Sequence, residues 1–282
     1  MKYGIVVDSG CDLKELHLDS FKEIDFTRVA LKLDIGDKEF VDEPNLNIEE
    51  FMKEMYSYKG KTGSAAPSPN DWIEAFEKSE IVFAITITGS LSGSYASAKT
   101  AVDLFKELHP NHKIHLIDSK STGPEMTLLV KKLKELMSEE LSFEEIVTKI
   151  DSYSSNTNLL FILKSLDNLV KNGRVGKLTA SMAGILGIKL LGAASNEGTL
   201  ELLHKCRGKL AAYDKAVREM TERNYQGGPV VISHCFAPDI ANYVAEAIRT
   251  SYPMAQITIM PTSGLCSYYA EEGGILIGFE SC

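Results

Sequence analysis

The sequence predicts an α/β protein of two α/β domains, with a mostly parallel sheet in the N-terminal domain. At 282 residues, the chain exceeds the size at which single hydrophobic cores usually stop growing. In its first half, short apolar runs alternate with helical patterns, which is typical of βαβ units. A polar, serine-rich segment at 151–157 separates this half from the second. We therefore predict two domains, 1–154 and 155–282.

The elements of the first domain follow in order from periodicity and capping signals. The apolar runs predict strands at 4–9, 81–88 and 113–119, and the helical patterns predict helices at 47–58, 94–108 and 125–137. Asn47 and Ser142 are each followed three residues later by a glutamate, the spacing of a capping box. Ser68 precedes a proline at what would be the first helical position. Helices should therefore begin just after these three residues.

The second half continues the α/β pattern. It predicts strands at 229–235, 256–261 and 273–280, helices at 209–223 and 238–250, and a turn at 196–198. The apolar stretch 178–194 contains Lys189, two hydroxyl residues and several glycines. We interpret this stretch as the wall of a buried site and not as a membrane span.

Composition excludes several classes of partner and site. The net charge of -9 disfavours nucleic acid, which requires a concentrated basic face. Met1 leads directly into a strand-like run without a signal-peptide pattern, which predicts a cytoplasmic protein. The five cysteines are odd in number and form no CxxC pair, so reduced thiols are expected and not a disulfide framework or a zinc ribbon.

The common catalytic signatures are incomplete. Residues 60–62 match the end of a P-loop, but the upstream glycine that the motif requires falls at Met55. Residues 89–93 resemble a nucleophile elbow, but the central position is Leu91 where the serine should stand. The sequence contains no GxGxxG, HExxH or EF-hand loop. We therefore predict no catalytic residues and no cofactor.

Three histidines recur at every third position, at His109, His112 and His115. They bracket a proline and an asparagine at a turn before a strand, so a solvated loop is the favoured interpretation over a metal site. No metal is predicted.

Hydroxyl-rich junctions follow three of the predicted strands, at 8–13, 86–95 and 118–123. Ligands of open α/β sheets bind at the carboxyl ends of the strands. At the second junction, unpaired N–H groups and hydroxyls at a helix start could bind an anion. Equally, Ser90 or Ser92 could simply cap that helix. Asp8 and Asp118 could be catalytic acids or, more commonly, turn residues.

Segments along nearly the whole chain resemble the DegV family of bacterial lipid-binding proteins, which includes the fatty-acid-binding subunits of fatty acid kinase. The resemblance rests on VVDSGCDL at 6–13, TGSAAPSP at 62–69, ITITGSLSGSYASA at 85–98, IHLIDSKSTG at 114–123, LDNLVKNGRVGK at 166–177, KCRGK at 205–209 and GGILIGFE at 273–280. It implies two α/β domains, an acyl chain sealed in a tunnel and a carboxylate near the domain cleft.

The resemblance also implies which residues bind the carboxylate. Ser64 takes the place of the family's carboxylate-binding threonine, and Thr62 is the neighbouring alternative. The family's paired serines fall on Thr88 and Gly89, and Ser90 follows them. The implied contacts are hydroxyls of Ser64 and of Thr88 or Ser90, together with backbone N–H groups near Gly89.

The sequence departs from the family pattern at two positions. Tyr269 replaces the histidine of an HTGPGA-like element, and Leu190 replaces the proline of an IKP element. Tyrosine can still donate a hydrogen bond to an oxygen, but it cannot become cationic. Arg174 and Arg207 match arginines of GRI-like and KVR-like elements, and the second resembles a kinase-docking position. Either arginine could instead form a surface or domain-bridging ion pair.

The expected function is therefore that of a carrier. It would bind a long-chain fatty acid in a buried tunnel and present the carboxylate to a fatty acid kinase partner, without doing chemistry itself or inserting into a membrane. The expected tunnel walls are residues 159–163, 182–191 and 275–279, which could equally be ordinary core.

Two other functions remain open at this point. A hydrolase or transferase could act on a small acidic substrate through Ser64, Ser90 or Asp8, although no activating base is evident. A sensor of apolar ligands would bind lipid without forming a kinase complex.

Overall fold

The computed structural model describes residues 2–16, 24–175, 187–208 and 210–281. Before residue 155, the described elements are β1 (Tyr3–Asp8), β2 (Ile24–Val29), β3 (Lys32–Ile35), β4 (Lys38–Val41), α1 (Ile48–Ser57), β5 (Thr62–Ala65), α2 (Pro69–Phe76), β6 (Ile81–Thr86), α3 (Ser94–Leu108), β7 (Lys113–Asp118), α4 (Pro124–Ser138) and α5 (Phe143–Ser154). After it they are β8 (Thr157–Leu163), α6 (Asp167–Lys171), β9 (Ile188–Ala194), β10 (Leu200–Arg207), α7 (Ala211–Glu222), β11 (Pro229–His234), α8 (Pro238–Ser251), β12 (Gln256–Pro261), α9 (Gly264–Ala270) and β13 (Ile275–Glu280).

The N-terminal sheet has the strand order β2-β1-β6-β7, and its neighbouring strands pair in parallel. This confirms the predicted parallel sheet. Side chains of β1 alternate between two cores, because Ile5 and Val7 face α4 and α5 while Val6 faces α2 and α3. The chain reverses its strand order between β1 and β6, and in open α/β sheets that reversal opens a ligand crevice at the carboxyl ends. Two of the hydroxyl-rich junctions lie there.

A small antiparallel sheet, β4-β3-β5, follows β2 and was not predicted. Its strands have only four residues each, and β5 includes Gly63, so no alternating pattern marks it in the sequence. The register pairs Leu33 with Ser64 and Ile35 with Thr62. This sheet therefore carries Thr62 and Ser64, two of the three hydroxyl residues of the 62–69 motif.

The C-terminal sheet has the strand order β10-β9-β8-β13-β11-β12, and it is antiparallel apart from the β11–β12 pair. Its two faces differ in their coverings. Leu160 and Ile162 of β8 face a core with α7 and α8, whereas Leu159, Phe161 and Leu163 face the opposite side with α6 and α9. The proposed boundary at 154/155 falls between α5 and β8.

The predicted helix starts are confirmed. Ser68 and Ser142 each accept a hydrogen bond from the N–H three residues on, and in both cases the acidic side chain bonds back to complete the capping box. Asn47 accepts from the N–H of Glu50 in the same way. These contacts are local in sequence, which is why the sequence alone predicts them.

Among the described residues, the helices are all too short or too polar to cross a membrane. In the same ranges, no three His, Cys, Asp or Glu side chains are grouped closely enough to hold a metal ion. All three histidines that recur near residue 110 contact an aromatic ring, since His109 and His112 pack against Phe105 and His115 packs against Phe83. His115 bonds to Asp151.

Glu125, in the first turn of α4, is a buried carboxyl where the helix packs on the C-terminal sheet. The Thr157 hydroxyl donates to its Oε1 at 2.7 Å, and the helix approaches so closely that a Cβ on Gly278 would lie 2.7 Å from the Glu125 nitrogen. Burial raises the pKa of Glu125 to about 7, partly offset by the Ser121 and Thr157 hydroxyls. Below the pKa that Glu125 has in the unfolded chain, the carboxyl is protonated in both the folded and the unfolded state. Its burial therefore destabilises the folded state only as the pH rises above that value.

Glu125→Gln should therefore stabilise the protein at pH 8 by roughly 2–3 kcal/mol and by progressively less as pH falls towards 4.5. The amide keeps an oxygen for Thr157 but has no charge to desolvate. Urea unfolding of both proteins at several pH values between 4.5 and 8 would measure the difference. Glu140→Gln, at an exposed position after α4, is the matched control and should follow the wild type. A difference that is independent of pH would contradict the prediction.

Candidate functional site

An apolar cavity lies between the N-terminal and C-terminal sheets. Residues from both halves of the chain line it. Its apolar side chains come mainly from the inner face of the C-terminal sheet, from α6 and α9, and from the strand-end loops of the first half: Leu159, Phe161, Leu163, Leu200, Leu276, Leu169, Leu265, Ala270, Leu31, Ile87 and Leu91. Such a concave, largely apolar space with a few polar groups is the usual form of a small-molecule site.

The polar groups of the cavity include a cluster formed by Ser64, Tyr269 and Arg174. The hydroxyls of Ser64 and Tyr269 are hydrogen-bonded at 2.8 Å, although the two residues are 205 positions apart. Arg174 donates from Nη1 to the carbonyl of Asn172 at 2.6 Å and from Nε to the carbonyl of Leu91 at 3.4 Å. Among the described residues, no carboxylate forms an ion pair with Arg174. The cluster therefore combines two hydroxyls with a guanidinium that has no carboxylate partner in the described part of the chain.

Burial raises the pKa of the Tyr269 hydroxyl, and the Ser64 hydrogen bond and the Arg174 charge offset part of that effect. Tyr269 is consequently a neutral phenol at physiological pH and keeps its proton to donate. A neutral donor beside a guanidinium suits an anionic ligand oxygen.

Tyr268, the neighbour of Tyr269, anchors α9 to the first half of the chain. Its hydroxyl bonds to Thr62 Oγ1 at 2.7 Å and accepts from the Asn172 amide at 2.8 Å. Thr62 is buried in this contact and is not among the residues that line the cavity. The two hydroxyls of β5 thus have different surroundings: Thr62 holds Tyr268, and Ser64 reaches Tyr269.

The loop after β6 contacts the turn between β9 and β10. Thr88 lines the cavity, and its hydroxyl donates to the carbonyl of Gly198 at 2.8 Å. The Ser90 hydroxyl donates to the carbonyl of Glu197, and the N–H of Gly89 donates to Asp118 Oδ1 at 3.1 Å. Gly89 and Ser90 are exposed and are not among the lining residues. In this conformation the two hydroxyls hold the β9–β10 turn against the N-terminal domain.

The start of α3 shows whether Ser90 or Ser92 caps this helix. Its N-cap residue is Gly93, which has no side chain to cap the helix. The Ser92 hydroxyl accepts from the N–H of Ser94 at 3.2 Å, whereas Ser90 has its partner in the other half of the chain. Ser92 therefore has the local role, and Ser90 does not.

Gly198 fits its place only because it has no side chain. Its φ is +76°, and an added Cβ would lie 2.2 Å from Thr88 Oγ1. Gly198→Ala should destabilise the protein by about 2–4 kcal/mol, since it adds a clash to the left-handed backbone cost. The control is Gly173→Ala, with a similar φ of +69° but no atom within 4 Å of the added Cβ. Denaturant unfolding should show a loss of only about 1–2 kcal/mol for the control. Equal losses for both variants would contradict the clash.

Asp8 belongs to the structural framework of the crevice. Its carboxylate accepts from the N–H groups of Gly10 and Ile87 and from the Ser94 hydroxyl at 3.0, 2.9 and 2.6 Å. Burial raises its pKa to about 6, despite these hydrogen bonds. Asp8 is fully buried and does not line the cavity, so it ties β1 to the loop after β6.

The structure thus brings together only part of the predicted site. Ser64, Thr88 and Tyr269 line one cavity, and Arg174, predicted as a partner contact, lines it with them. Arg207 lies at the exposed end of β10, away from this cluster. The hydroxyl-rich junctions predicted at 86–95 and 118–123 also contribute Ser92, Lys120, Ser121 and Thr122 to the lining, whereas Thr199 and Cys266 line the cavity without having been predicted as site residues. Thr199 and Cys266 lie outside these junctions, so the sequence held no signal that distinguishes them from turn or core residues.

The predicted walls are present in part. Leu159, Phe161 and Leu163 line the cavity, and from the stretch 275–279 Leu276 does so. Ile275, Ile277 and Phe279 point to the opposite core because side chains alternate along β13. Of the stretch 182–191, residues 182–186 lie outside the described residues, as do the ends of the 166–177 and 205–209 motifs.

Comparison with known proteins gives a family and close structural relatives. The model of the DegV family, described as a family of uncharacterised proteins, matches residues 2–281. A DegV domain-containing protein of Streptococcus gordonii is 46% identical over 280 residues, with 99% of each chain covered. One from Streptococcus pneumoniae serotype 4 is 45% identical over the same length, again with 99% of each chain covered.

Solved structures resemble the chain over its full length. The fatty acid kinase B3 protein of Streptococcus pneumoniae, loaded with linoleic acid, is 45% identical with a TM-score of 0.97 and 100% coverage of both chains. A DegV family protein from Eubacterium eligens, loaded with heptadecanoic acid, is 38% identical with a TM-score of 0.94, covering 99% of this chain and 100% of that one.

Proposed function

The chain belongs to the DegV family, and on that premise we propose that it binds a long-chain fatty acid in the cavity and presents the carboxylate to a kinase. The observation that carries the proposal is the apolar cavity with a cluster of two hydroxyls and a guanidinium in its wall. In the proposed complex, the carboxylate binds Ser64, Tyr269 and Arg174. Thr88 lines the same cavity.

The two chemical parts of the ligand match the two parts of the cavity. An acyl chain gains about 0.8 kcal/mol for each methylene removed from water, so the apolar walls supply most of the affinity. The carboxylate must keep hydrogen bonds when it leaves water, and the Tyr269 and Arg174 donors provide them. That two structural relatives were solved with linoleic and heptadecanoic acid supports this ligand class.

The kinase step belongs to a partner protein in this proposal. The carboxylate oxygen would attack the γ-phosphorus of ATP bound by the partner, the bond to the bridging oxygen would break, and ADP would leave. The products are an acyl phosphate on the carrier and ADP on the kinase. Sequence motifs for ATP binding are absent from this chain, and its relative is a fatty acid kinase B protein, which supports such a division of labour. Arg207, exposed on β10, is the proposed docking contact. Because the kinase would use ATP of the cytoplasm, the carrier would act in the cytoplasm.

The enzyme alternative has less support. Ser64 bonds to Tyr269, Ser90 bonds to a backbone carbonyl, and Asp8 is enclosed by its own hydrogen bonds. The described residues that line the cavity include no histidine to activate a serine.

Native mass spectrometry of the purified chain, followed by denaturing extraction, tests the ligand. One fatty acid per chain is expected, either co-purified or taken up from a mixture of fatty acids. A chain that binds no fatty acid after that incubation would contradict the carrier proposal. Acyl phosphate formation that requires both this chain and an ATP-binding fatty acid kinase subunit tests the kinase step, and ATP turnover by this chain alone would contradict it.

A further inference from the structure

Helix α9 carries Cys266, Tyr269 and Ala270 to the cavity, but it has only seven residues. Its N-cap residue, Ser263, makes no side-chain hydrogen bond to the helix. Helices this short are unstable by themselves, because the free-energy cost of nucleation exceeds the stabilisation from the hydrogen bonds of two turns. The orientation of α9, and with it the place of the Tyr269 hydroxyl, must therefore come from contacts with the rest of the protein.

Two buried carboxylates from the first half of the chain hold the start of α9. Asp42 accepts from the N–H groups of Gly264 and Leu265, at 2.9 Å to Oδ1 and 2.8 Å to Oδ2. Asp12 accepts from the N–H of Ser263 at 2.8 Å. Both side chains are almost fully buried, with exposures of 1% for Asp42 and 3% for Asp12. The N–H groups of a first turn have no partner inside the helix and favour negative charge, so these carboxylates supply the cap that α9 lacks.

The partly buried guanidinium of Arg28 provides a positive charge near these carboxylates. Arg28 donates to the carbonyls of Cys11 and Leu13. Burial raises the pKa of Asp42, and the Arg28 charge offsets part of that effect. The fit is close, since a Cβ on Gly264 would lie 2.6 Å from Asp42 Oδ1. The first turn of α9 therefore has little freedom to rotate while the Asp42 carboxylate is in place.

The other end of the helix has separate anchors. Tyr268 bonds to Thr62, and the Asn168 amide donates to the Tyr268 carbonyl at 2.8 Å. Loss of the Asp42 contacts would leave these bonds in place, so the helix would tilt or rotate but not detach. Neither Asp12 nor Asp42 lines the cavity. Their hydrogen bonds to the first turn of α9 connect these carboxylates to the residues of α9 that do line it.

We propose that Asp42, supported by Asp12, is a positioning residue of the carboxylate site: it fixes α9 so that the Tyr269 hydroxyl meets Ser64 and the ligand. The inference rests on the proposed function, which makes Tyr269 a contact of the fatty acid. Asparagine at position 42 has one acceptor oxygen, so it can accept from only one of the two helix N–H groups while its NH₂ faces the other.

A double-mutant cycle tests the inference with linoleic acid as the probe and the delipidated full chain. Asp42→Asn should raise the Kd about tenfold, because Tyr269 is displaced. Added to Tyr269→Phe, the same change should raise the Kd less than about twofold, since the hydroxyl it positions is already gone. Asp37→Asn, at an exposed turn carboxylate, is the matched control and should leave the Kd unchanged.

A second measurement needs no ligand. In protein labelled with ¹³Cζ-tyrosine, the Tyr269 resonance, assigned by its loss in Tyr269→Phe, should shift in Asp42→Asn and not in Asp37→Asn. If Asp42→Asn does not fold, Gly264→Ala replaces it, because the added Cβ displaces the helix from Asp42 without removing the charge. Gly264→Ala should likewise raise the Kd for linoleic acid in the wild-type background and have little effect in the Tyr269→Phe background.

The outcomes separate this inference from the proposed function. Wild-type protein that takes up no linoleic acid contradicts the proposed function, whereas the tyrosine resonance still tests the positioning. If the wild type binds, an unchanged Kd in Asp42→Asn overturns the positioning role. A tenfold loss that persists in the Tyr269→Phe background also overturns it, because Asp42 would then act on something other than Tyr269.

Discussion

Arg174→Gln should weaken fatty-acid binding by about 10- to 100-fold, one of the two largest effects expected of a single substitution at this site. Charge-assisted hydrogen bonds contribute about 1.5–3 kcal/mol each, and glutamine removes the charge while it keeps a polar side chain of similar reach. The carboxylate would retain the Ser64 and Tyr269 hydroxyls. Isothermal titration of delipidated protein with linoleic acid would measure the loss.

A second arginine of the same chain, Arg207, provides the control for this experiment. Arg207→Gln removes the same charge from the exposed end of β10, outside the cavity lining, and should leave the affinity for the fatty acid unchanged. In a kinase-coupled assay, Arg207→Gln should weaken docking to the kinase more than Arg174→Gln does, because Arg207 is the proposed partner contact. Equal losses of fatty-acid affinity in both variants would show that Arg174 acts through net charge and not through contact with the carboxylate.

Ala194→Phe should nearly abolish acyl-chain binding by filling the cavity. Ala194 is the last residue of β9 and lies on the cavity face of the sheet, next to the β9–β10 turn. An aromatic ring there would displace roughly four methylenes of the ligand, which at about 0.8 kcal/mol each costs about 3 kcal/mol, or more than 100-fold in Kd. The thermal stabilisation that linoleic acid confers on the wild type should be lost.

Stability without ligand distinguishes a filled cavity from a damaged fold. The ring would occupy space next to Leu159 and Leu200, so the ligand-free variant should melt within a few degrees of the wild type. Ala96→Phe adds the same ring at an exposed position of α3 and should bind linoleic acid normally. Normal binding by Ala194→Phe would place the acyl chain elsewhere and would contradict the cavity assignment.

Net charge and local charge have opposite signs in this protein, and the difference matters for its function. The chain carries a net charge of -9, which disfavours polyanionic partners. A single fatty carboxylate needs only a local donor set, and Arg174 with two hydroxyls is such a set. The buried Asp8, Asp12 and Asp42 lie behind this surface and do not line the cavity.

The sequence by itself determined the features that depend on neighbours in the chain. The parallel strands of the first half, the capping boxes at Ser68 and Ser142 and the hydroxyl-rich strand ends all follow from residues a few positions apart. The family resemblance added Ser64, Thr88 and Tyr269 as ligand contacts, and these three residues do line one cavity. The small β4-β3-β5 sheet and α9 were missed, because short elements held by distant partners have little local signature.

The tertiary structure alone decided what each polar group contacts. The Thr88 hydroxyl reaches a carbonyl 110 residues away, and Ser64 meets Tyr269 across 205 residues. Arg174 could have been a surface residue by its sequence, but the packing of α6 and α9 against the loop after β6 places it in the cavity wall. Local sequence sets backbone conformation, whereas the direction and burial of a side chain depend on long-range packing. That is why the fold was predictable and the arrangement of the site was not.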